Sequence, residues 1–285
     1  PEKMRGIDGL RAQLIGRDEE YQKLKTALNA VEHGQGQLVS LIGEAGLGKS
    51  RLVEELRSVA VTATNNTVAP VTWRECRCLE LRTATGYWPF IDLLRTYLLR
   101  HMDAKSKADR AASLAQTLNS MAERGDLAGG LERANEIEAL LSNLLSLNLK
   151  PAWKERLKNS SPQQVQFQTF LAIYDFLVAL ARRRPLVLVF EDLHWADDLS
   201  LDLVGLLMEA VLSESMMLLC VYRPRYQHKG MRLSAIASRK CPEQYLEINL
   251  RELTPKQSQT FIKSLLRVDV LPSIIEAPVL RQTRG

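Results

Sequence analysis

A glycine-rich turn at residues 43–50 constrains the fold of this chain more than any other feature. The turn reads Gly-Glu-Ala-Gly-Leu-Gly-Lys-Ser and matches the pattern G-x-x-x-x-G-K-[ST] at every fixed position. An apolar, strand-like run at 37–43 leads into it, and a segment with helical spacing at 50–62 follows it. A strand, a glycine-rich turn and a helix in this order predict a phosphate-binding loop within an α/β fold.

Each residue type in the turn suits contact with an anion. We expect Gly43, Gly46 and Gly48 to allow positive φ angles and a close approach of backbone N–H groups to phosphate oxygens. The helix that begins near Lys49 directs its free N–H groups and its positive dipole end at the same place. Lys49 adds a point charge for the β- and γ-phosphates, and the Ser50 hydroxyl is a possible Mg²⁺ ligand.

Two adjacent carboxylates, Glu191 and Asp192, follow a second buried strand at 186–191. Ligands of open α/β sheets bind outside the carboxyl ends of the strands, so these acids are predicted to face the bound phosphates. Adjacent carboxylates repel each other, which favours a divalent cation between them. We expect one acid to assist Mg²⁺ and the other to polarise the attacking water. Asp197 and Asp198 are predicted instead to cap the next helix.

An arginine, Arg223, ends the next apolar run, at 216–222. At the end of a strand it can reach a γ-phosphate and respond to its presence. The competing interpretation is a surface cation without a functional role.

Short apolar runs alternate with helix-like segments along most of the chain, which predicts a parallel sheet covered on both faces. From 103 to 161 this alternation stops, and leucine and alanine recur at helical intervals, which predicts a helical insertion punctuated by Gly125, Gly129, Gly130 and Pro151. The predicted strands are 37–43, 71–79, 186–191, 216–222 and 245–250, and the predicted helices outside the insertion are 18–33, 50–62, 90–101, 163–183, 200–212, 256–266 and 274–282.

Composition argues against several other classes of protein. The 285 residues carry 38 basic and 33 acidic side chains, a net charge of +5, without the basic stripe typical of nucleic-acid binders. No apolar run approaches the length of a membrane span, and no hydrophobic signal region begins the chain. The four cysteines show no metal-binding spacing, so we expect buried reduced thiols in a cytoplasmic protein.

Taken together, these motifs resemble the AAA-like P-loop ATPase domain of STAND-class signalling ATPases in bacterial multidomain regulators. Within this resemblance, residues 5–10 look like an entry connector and 14–20 like an opening box that lies near the adenine. The turn at 43–50 corresponds to Walker A, 87–90 to an aromatic-proline segment, 190–197 to Walker B and 222–224 to a sensor-1 arginine.

The resemblance implies a five-stranded parallel sheet of order 5-1-4-3-2 in a P-loop NTPase (ASCE/AAA-like) fold, with ATP or ADP and Mg²⁺ as cofactors. It divides the chain into a linker at 1–13, an ATPase core at 14–250 and a truncated C-terminal helical subdomain from 251. The implied catalytic residues are Asp192, Glu191 and Arg223, the metal ligands are Ser50, Glu191 and Asp192, and the nucleotide-binding residues are Ile15, Gly16, Arg17, Gly43, Glu44, Ala45, Gly46, Leu47, Gly48, Lys49, Ser50 and Arg51.

Three functions fit these expectations. The leading hypothesis is a Mg²⁺-dependent, slowly hydrolysing ATP switch that regulates other domains of a parent chain, such as a cyclase domain or tetratricopeptide repeats. A nucleotide-dependent oligomer is a further possible partner. The second hypothesis is a nucleotide-binding interaction scaffold without turnover, and the third is a DNA-linked AAA+ ATPase. At the Walker B position, Glu191 stands where many relatives carry Asp, which leaves the division of roles between Glu191 and Asp192 open. No Asn-Lys-x-Asp guanine box is present, which argues against a GTPase.

Overall fold

The computed structural model of the chain describes residues 14–62, 70–101, 106–224, 227–266 and 268. Its strands are β1 (Gln37–Ile42), β2 (Thr72–Arg77), β3 (Leu186–Glu191), β4 (Met216–Tyr222) and β5 (Tyr245–Asn249). Its α-helices are α1 (Asp18–Glu32), α2 (Lys49–Thr62), α3 (Trp88–His101), α4 (Lys107–Glu123), α5 (Gly130–Leu144), α6 (Pro151–Asn159), α7 (Pro162–Arg183), α8 (Asp198–Ala210), α9 (Gln227–Lys240) and α10 (Pro255–Leu266).

The five strands form one sheet in the order β2-β3-β4-β1-β5, and every pair in it is parallel. Read from the other edge, this is the expected order 5-1-4-3-2. The chain enters the sheet at β1, crosses to the edge strand β2, and then returns through β3 and β4 to a place beside β1. All carboxyl ends therefore lie along one edge.

Side chains of the central strands alternate between the two faces of the sheet, as the pleat requires. In β4, Met217, Leu219 and Val221 pack in a core with residues of α1 and α2. The intervening β4 residues pack in the opposite core, with residues of α3, α7, α8 and α9. Strands β3 and β4 are buried at every position, which explains their continuous apolar sequence.

The predicted helical insertion consists of α4, α5 and α6, and α5 packs against α7. Gly125 and Gly129 have φ angles of 79° and 86° at the break between α4 and α5. Pro151 occupies the first turn of α6, where its missing N–H is not needed. The punctuation read from the sequence is confirmed.

Helix α7 is long and apolar enough to cross a membrane by length and composition. Half of its most apolar window is buried inside the protein, and the helix contributes Ile173, Phe176 and Leu177 to the larger core. The four cysteines are free and buried, as expected.

Helix α9 was not among the predicted elements. Its sequence, QHKGMRLSAIASRK, is largely polar and basic, so its apolar spacing is hard to recognise. Leu233 and Ala237 nevertheless place it against the core beside β4. The expected strand at 71–79 is shorter because the chain turns at Cys78 and Leu79 into a 3₁₀ turn at Glu80–Arg82. The linker at 1–13 and the expected helix at 274–282 lie outside the described residues.

Candidate phosphate-binding site

The candidate site lies where β1, β4 and β3 end side by side. Strand β4 lies between the other two, and Ile42 of β1 is in register with Tyr222 of β4. The Gly43 N–H donates to the Tyr222 carbonyl at 3.3 Å, so the glycine-rich turn begins next to Arg223. Glu191 ends β3 on the other side of β4. One edge of the sheet therefore brings together the three motifs that the sequence singles out.

The glycines of the turn serve two different purposes. Gly46 and Gly48 have φ angles of 83° and 90°, and an added Cβ at either position would meet nothing within 4 Å. They are required for their backbone conformation, and the space beside them is open. Gly43 does not have a positive φ, contrary to the expectation for it. A Cβ there would lie 3.0 Å from Leu250 Cβ, so Gly43 is required for close packing.

Lys49 begins α2 and is 8% exposed. Its Nζ donates to the Gly43 carbonyl at 2.6 Å and to the Glu44 carbonyl at 2.8 Å, so the side chain folds back under the turn. Burial lowers the pKa of Lys49, and the charge of Arg223 lowers it further. The charges of Asp192 and Glu44 act in the opposite direction. Lys49 therefore lies within electrostatic range of both the acidic edge and Arg223.

The two acids of the site differ in their surroundings. Glu191 is 7% exposed, and its Oε2 lies 3.5 Å from Nε of Arg77, its neighbour in register on β2. Asp192 is half-buried and has a left-handed backbone, with φ 53° and ψ 41°. A left-handed conformation at a residue other than glycine costs about 1–3 kcal/mol and concentrates at functional sites. The backbone at Asp192 is thus held in a conformation that the surrounding fold must stabilise.

The helix after the acids is held by Asp197, as expected from its capping role. Its Oδ1 accepts from the Ser200 N–H at 2.9 Å, and its Oδ2 accepts from the Ser200 hydroxyl at 2.6 Å. Oδ1 also accepts from the Tyr87 N–H at 3.1 Å. Burial, with the charge of Asp197, raises the pKa of Tyr87 to about 12, so its phenol stays a donor to the Gln166 carbonyl. Asp197 therefore connects the aromatic-proline segment to the acidic edge.

The opening box lies against the turn. Arg17 precedes α1, and its Nη2 donates to the carbonyls of Leu47 at 3.2 Å and Arg251 at 2.6 Å. Gly16 has a φ of 67°, and the side chain of Gln257 lies 2.7 Å from where a Cβ would be. The opening box thus meets both the phosphate loop and the first turn of α10.

The other predicted binding residues surround the turn. Arg51 points along α2 and forms ion pairs with Glu54 and Glu55 of the same helix. Ala45 and Gly46 are exposed at the tip of the turn, and Ile15, Glu44, Leu47, Gly48 and Ser50 are half-buried.

The donor set of the site suits Mg²⁺. Mg²⁺ prefers a few hard oxygen ligands completed by water and by substrate phosphates. The hydroxyl of Ser50 and the carboxylates of Glu191 and Asp192 are of this kind. Glu191 is the last residue of β3, Asp192 follows it, and Ser50 lies in the first turn of α2 after the loop that follows β1. Among the described residues no group of three His, Cys, Asp or Glu side chains forms a metal cage. A cation here would therefore depend on the phosphates for part of its coordination.

Sequence reasoning missed Arg77, Gln257 and Arg251. Arg77 reaches Glu191 only because β2 and β3 are paired in one particular register. Gln257 and Arg251 come close to the opening box only through the tertiary fold. The usable signal was weaker: Arg77 lies within the predicted strand at 71–79, and the predicted strand at 186–191 ends in an acid.

Comparison with known proteins gives a family match over most of the chain. Residues 13–220 match a family described as AAA ATPase domain. An uncharacterized protein of Rhizobium meliloti (strain 1021) is 28% identical over 215 residues, which cover 75% of this chain and 19% of that protein. The chain thus spans about a fifth of the length of this relative.

Two solved structures resemble the fold at low sequence identity. The Aeropyrum pernix ORC1 protein, solved in complex with DNA, has a TM-score of 0.48 at 14% identity, over 96% of this chain and 57% of that one. The Aeropyrum pernix ORC2 protein, solved as ADPNP-ADP complexes, has a TM-score of 0.44 at 12% identity, over 92% of this chain and 54% of that one.

Proposed function

Because the chain belongs to the AAA ATPase domain family, we propose that it binds ATP and ADP with Mg²⁺ at residues 43–50 and hydrolyses ATP slowly as a regulatory switch. The observation that carries this proposal is the shared edge of β1, β4 and β3. It brings an open glycine-rich cradle, a buried lysine, a half-buried arginine and two acids to one place.

The phosphates would be bound by the backbone and by Lys49. Gly46 and Gly48 hold the turn in a conformation whose N–H groups can point at an anion, and the start of α2 adds its dipole. Lys49 Nζ would exchange the carbonyls of Gly43 and Glu44 for phosphate oxygens. Because its site disfavours the isolated charge, the ammonium gains from an anionic partner.

Hydrolysis would depend on Asp192 and Arg223. Asp192, held in its strained turn, would accept a hydrogen bond from the attacking water and increase its nucleophilicity. Arg223 would neutralise charge that develops on the transferred phosphoryl group. Bound Mg²⁺ would neutralise phosphate charge, with Ser50, Glu191 and Asp192 as its candidate protein ligands. Arg77 would keep the Glu191 carboxylate in place beside β2.

A switch role in a larger signalling protein is the more specific part of the proposal. It rests on the resemblance of the motifs to signalling ATPases, and on the match to one part of a much longer relative. We infer cytoplasmic partners such as a cyclase domain or tetratricopeptide repeats in the parent chain, and an oligomer that responds to nucleotide. Arg182, from the one run of three arginines, pairs with Glu214 at 2.9 Å, which favours a structural role over DNA binding.

The test is calorimetric titration of the 285-residue chain with Mg²⁺-ATP. Lys49→Ala is expected to weaken binding by at least about a hundredfold, because a charge-assisted partner of the phosphates is removed in a buried setting. Lys23→Ala, an exposed lysine on α1, is the matched control and should bind as the native protein does. Equal affinity of the native and Lys49→Ala proteins would contradict the proposed site.

A further inference from the structure

We propose that Arg17 is a positioning residue that couples nucleotide occupancy of residues 43–50 to the position of α10. This inference rests on the proposed function and goes beyond nucleotide contact. One guanidinium nitrogen, Nη2, donates both to the Leu47 carbonyl in the phosphate loop and to the Arg251 carbonyl in the segment that leads into α10. Arg17 thereby joins two segments that are far apart in sequence.

The environment of Arg17 makes this connection rigid. Its side chain is 7% exposed, and Nη1 is held by Glu20 at 3.3 Å on the first turn of α1. A buried cation is stable only while its hydrogen-bond partners stay in place. A shift of either carbonyl would leave that charge under-satisfied, so a movement of one segment is opposed unless the other moves with it.

The carbonyl of Leu47 is set by the conformation of the loop. Leu47 lies between the two left-handed glycines, Gly46 and Gly48, so the direction of its carbonyl depends on how the turn is held. In the structure the turn is also held from below by Lys49, which donates to two of its carbonyls. Phosphate binding would redirect Lys49 toward the ligand and change the restraints on the turn.

The segment around Arg251, which leads into α10, is attached to the rest of the protein at more than one point. The Leu250 N–H donates to the Ile42 carbonyl at 2.7 Å, which fixes the end of β5 beside the start of the loop. Thr254 caps α10 by accepting from the Gln257 N–H at 3.3 Å, and the Gln257 side chain packs on Gly16. A change at Arg251 would therefore be passed to the first turn of α10.

Thermodynamic linkage makes this coupling reciprocal. If nucleotide stabilises one position of α10, then whatever holds α10 in that position raises nucleotide affinity by the same factor. Couplings of the usual size correspond to about 5- to 150-fold in affinity. Parts of a parent protein attached after α10 could thus respond to, and control, the nucleotide.

The experiment is amide hydrogen exchange of the 285-residue chain with and without Mg²⁺-ATP, read at residues 43–50 and 251–266. In the native protein nucleotide should slow exchange in both segments. Each protein is measured at a Mg²⁺-ATP concentration that saturates it by calorimetry, so that a change in affinity does not enter the comparison. In Arg17→Lys the response of 251–266, relative to the response of the loop, should fall by about fivefold or more, since a compact ammonium cannot reproduce the guanidinium geometry. Arg17→Ala should lower the response of 251–266 relative to that of the loop in the same way, once thermal melting has shown that this variant is folded.

Arg133→Ala is the matched control. Arg133 is also a partly buried guanidinium held by acids, with Nε donating to Asp175 at 2.8 Å, but it lies in the helical insertion. Its variant should keep both responses. An unchanged response of 251–266 in Arg17→Lys would overturn the coupling role. Absence of any loop response in the native protein would instead overturn the proposed nucleotide site, and the coupling with it.

Discussion

The two turns that follow β1 and β3 share one sheet edge but reach their conformations differently. The turn after β1 uses glycine at its left-handed positions, Gly46 and Gly48. The turn after β3 has a left-handed residue with a side chain, Asp192. The first leaves open space beside its two glycines, and the second carries a carboxylate. Each turn has the residue that its proposed chemistry requires, because an anion cradle needs bare backbone and a water-activating group needs a side chain.

The two turns also differ in backbone strain. Glycine adopts a positive φ without steric cost, so the phosphate loop is relaxed. Asp192 adopts it at a cost, and the packing around it must supply the difference. The neighbouring elements are well placed to do this, since β3 is fully buried and Asp197 anchors the following helix.

The largest effect that would test this comparison is expected from Asp192→Asn. Asparagine tolerates the left-handed region nearly as well as aspartate, so the fold should keep its stability while the charge is lost. Steady-state phosphate release should fall by about 10²- to 10⁴-fold, as for loss of a general base. Asp192→Ala serves as the partner variant and should add a loss of stability. Equal turnover in the native and Asn proteins would favour the scaffold without hydrolysis.

A smaller effect separates the two roles of glycine in the phosphate loop. Gly48→Ala should lower the free energy of unfolding by about 1–2 kcal/mol, because alanine resists a φ of 90° although space is available. Gly43→Ala should lower it by about 1–3 kcal/mol for the other reason, overlap with Leu250.

A second change distinguishes these causes by chemical denaturation. Leu250→Gly removes the Cβ that a side chain at Gly43 would meet, so, compared with Leu250→Gly alone, it should rescue Gly43→Ala in part and leave Gly48→Ala unrescued. Rescue of both glycine variants, or of neither, would show that the two glycines do not differ as described.

The smallest effect is a pH dependence of nucleotide affinity. Lys49 must be protonated to bind phosphate, and burial lowers its pKa below the ordinary 10.5. Affinity should therefore be constant while Lys49 is charged and fall as pH rises, beginning below the range in which a free lysine titrates. The fall is limited to about tenfold per pH unit for one proton. Lys49→Arg, which stays charged, should lack this decline in the same titration.

Strong local patterns explain why much of the architecture could be predicted. Strands β3 and β4 have the predicted bounds, because a strand buried on both faces is apolar at every position. The turn at 43–50 was recognisable because its residue types follow from backbone geometry and anion chemistry. Helix α9 was missed because only one side of it meets the core, and its sequence is mostly polar.

Contacts between distant segments could not be predicted in the same way. The order 5-1-4-3-2 came from resemblance to a known family, since no local pattern states which strands are neighbours. The ion pair of Arg77 with Glu191 depends on strand register, and the contact of Gln257 with Gly16 depends on where α10 packs. Gly43 shows the same limit within the motif itself, because its need for space comes from Leu250, the residue after β5, and not from its own φ.

Features that depend on residues close together in the sequence could thus be predicted from the sequence alone. These are the hydrophobic periodicity, the helix caps, and a turn whose glycines and lysine suit an anion. Tertiary structure alone decided which of these pieces meet, because the partners of Arg17, Glu191 and Gly43 lie across the sheet or far along the chain. Hydrophobic burial is non-directional, so the sequence pattern shows which face of a helix or strand is buried. Which elements contact each other is decided only by the strand registers and hydrogen bonds of the tertiary structure.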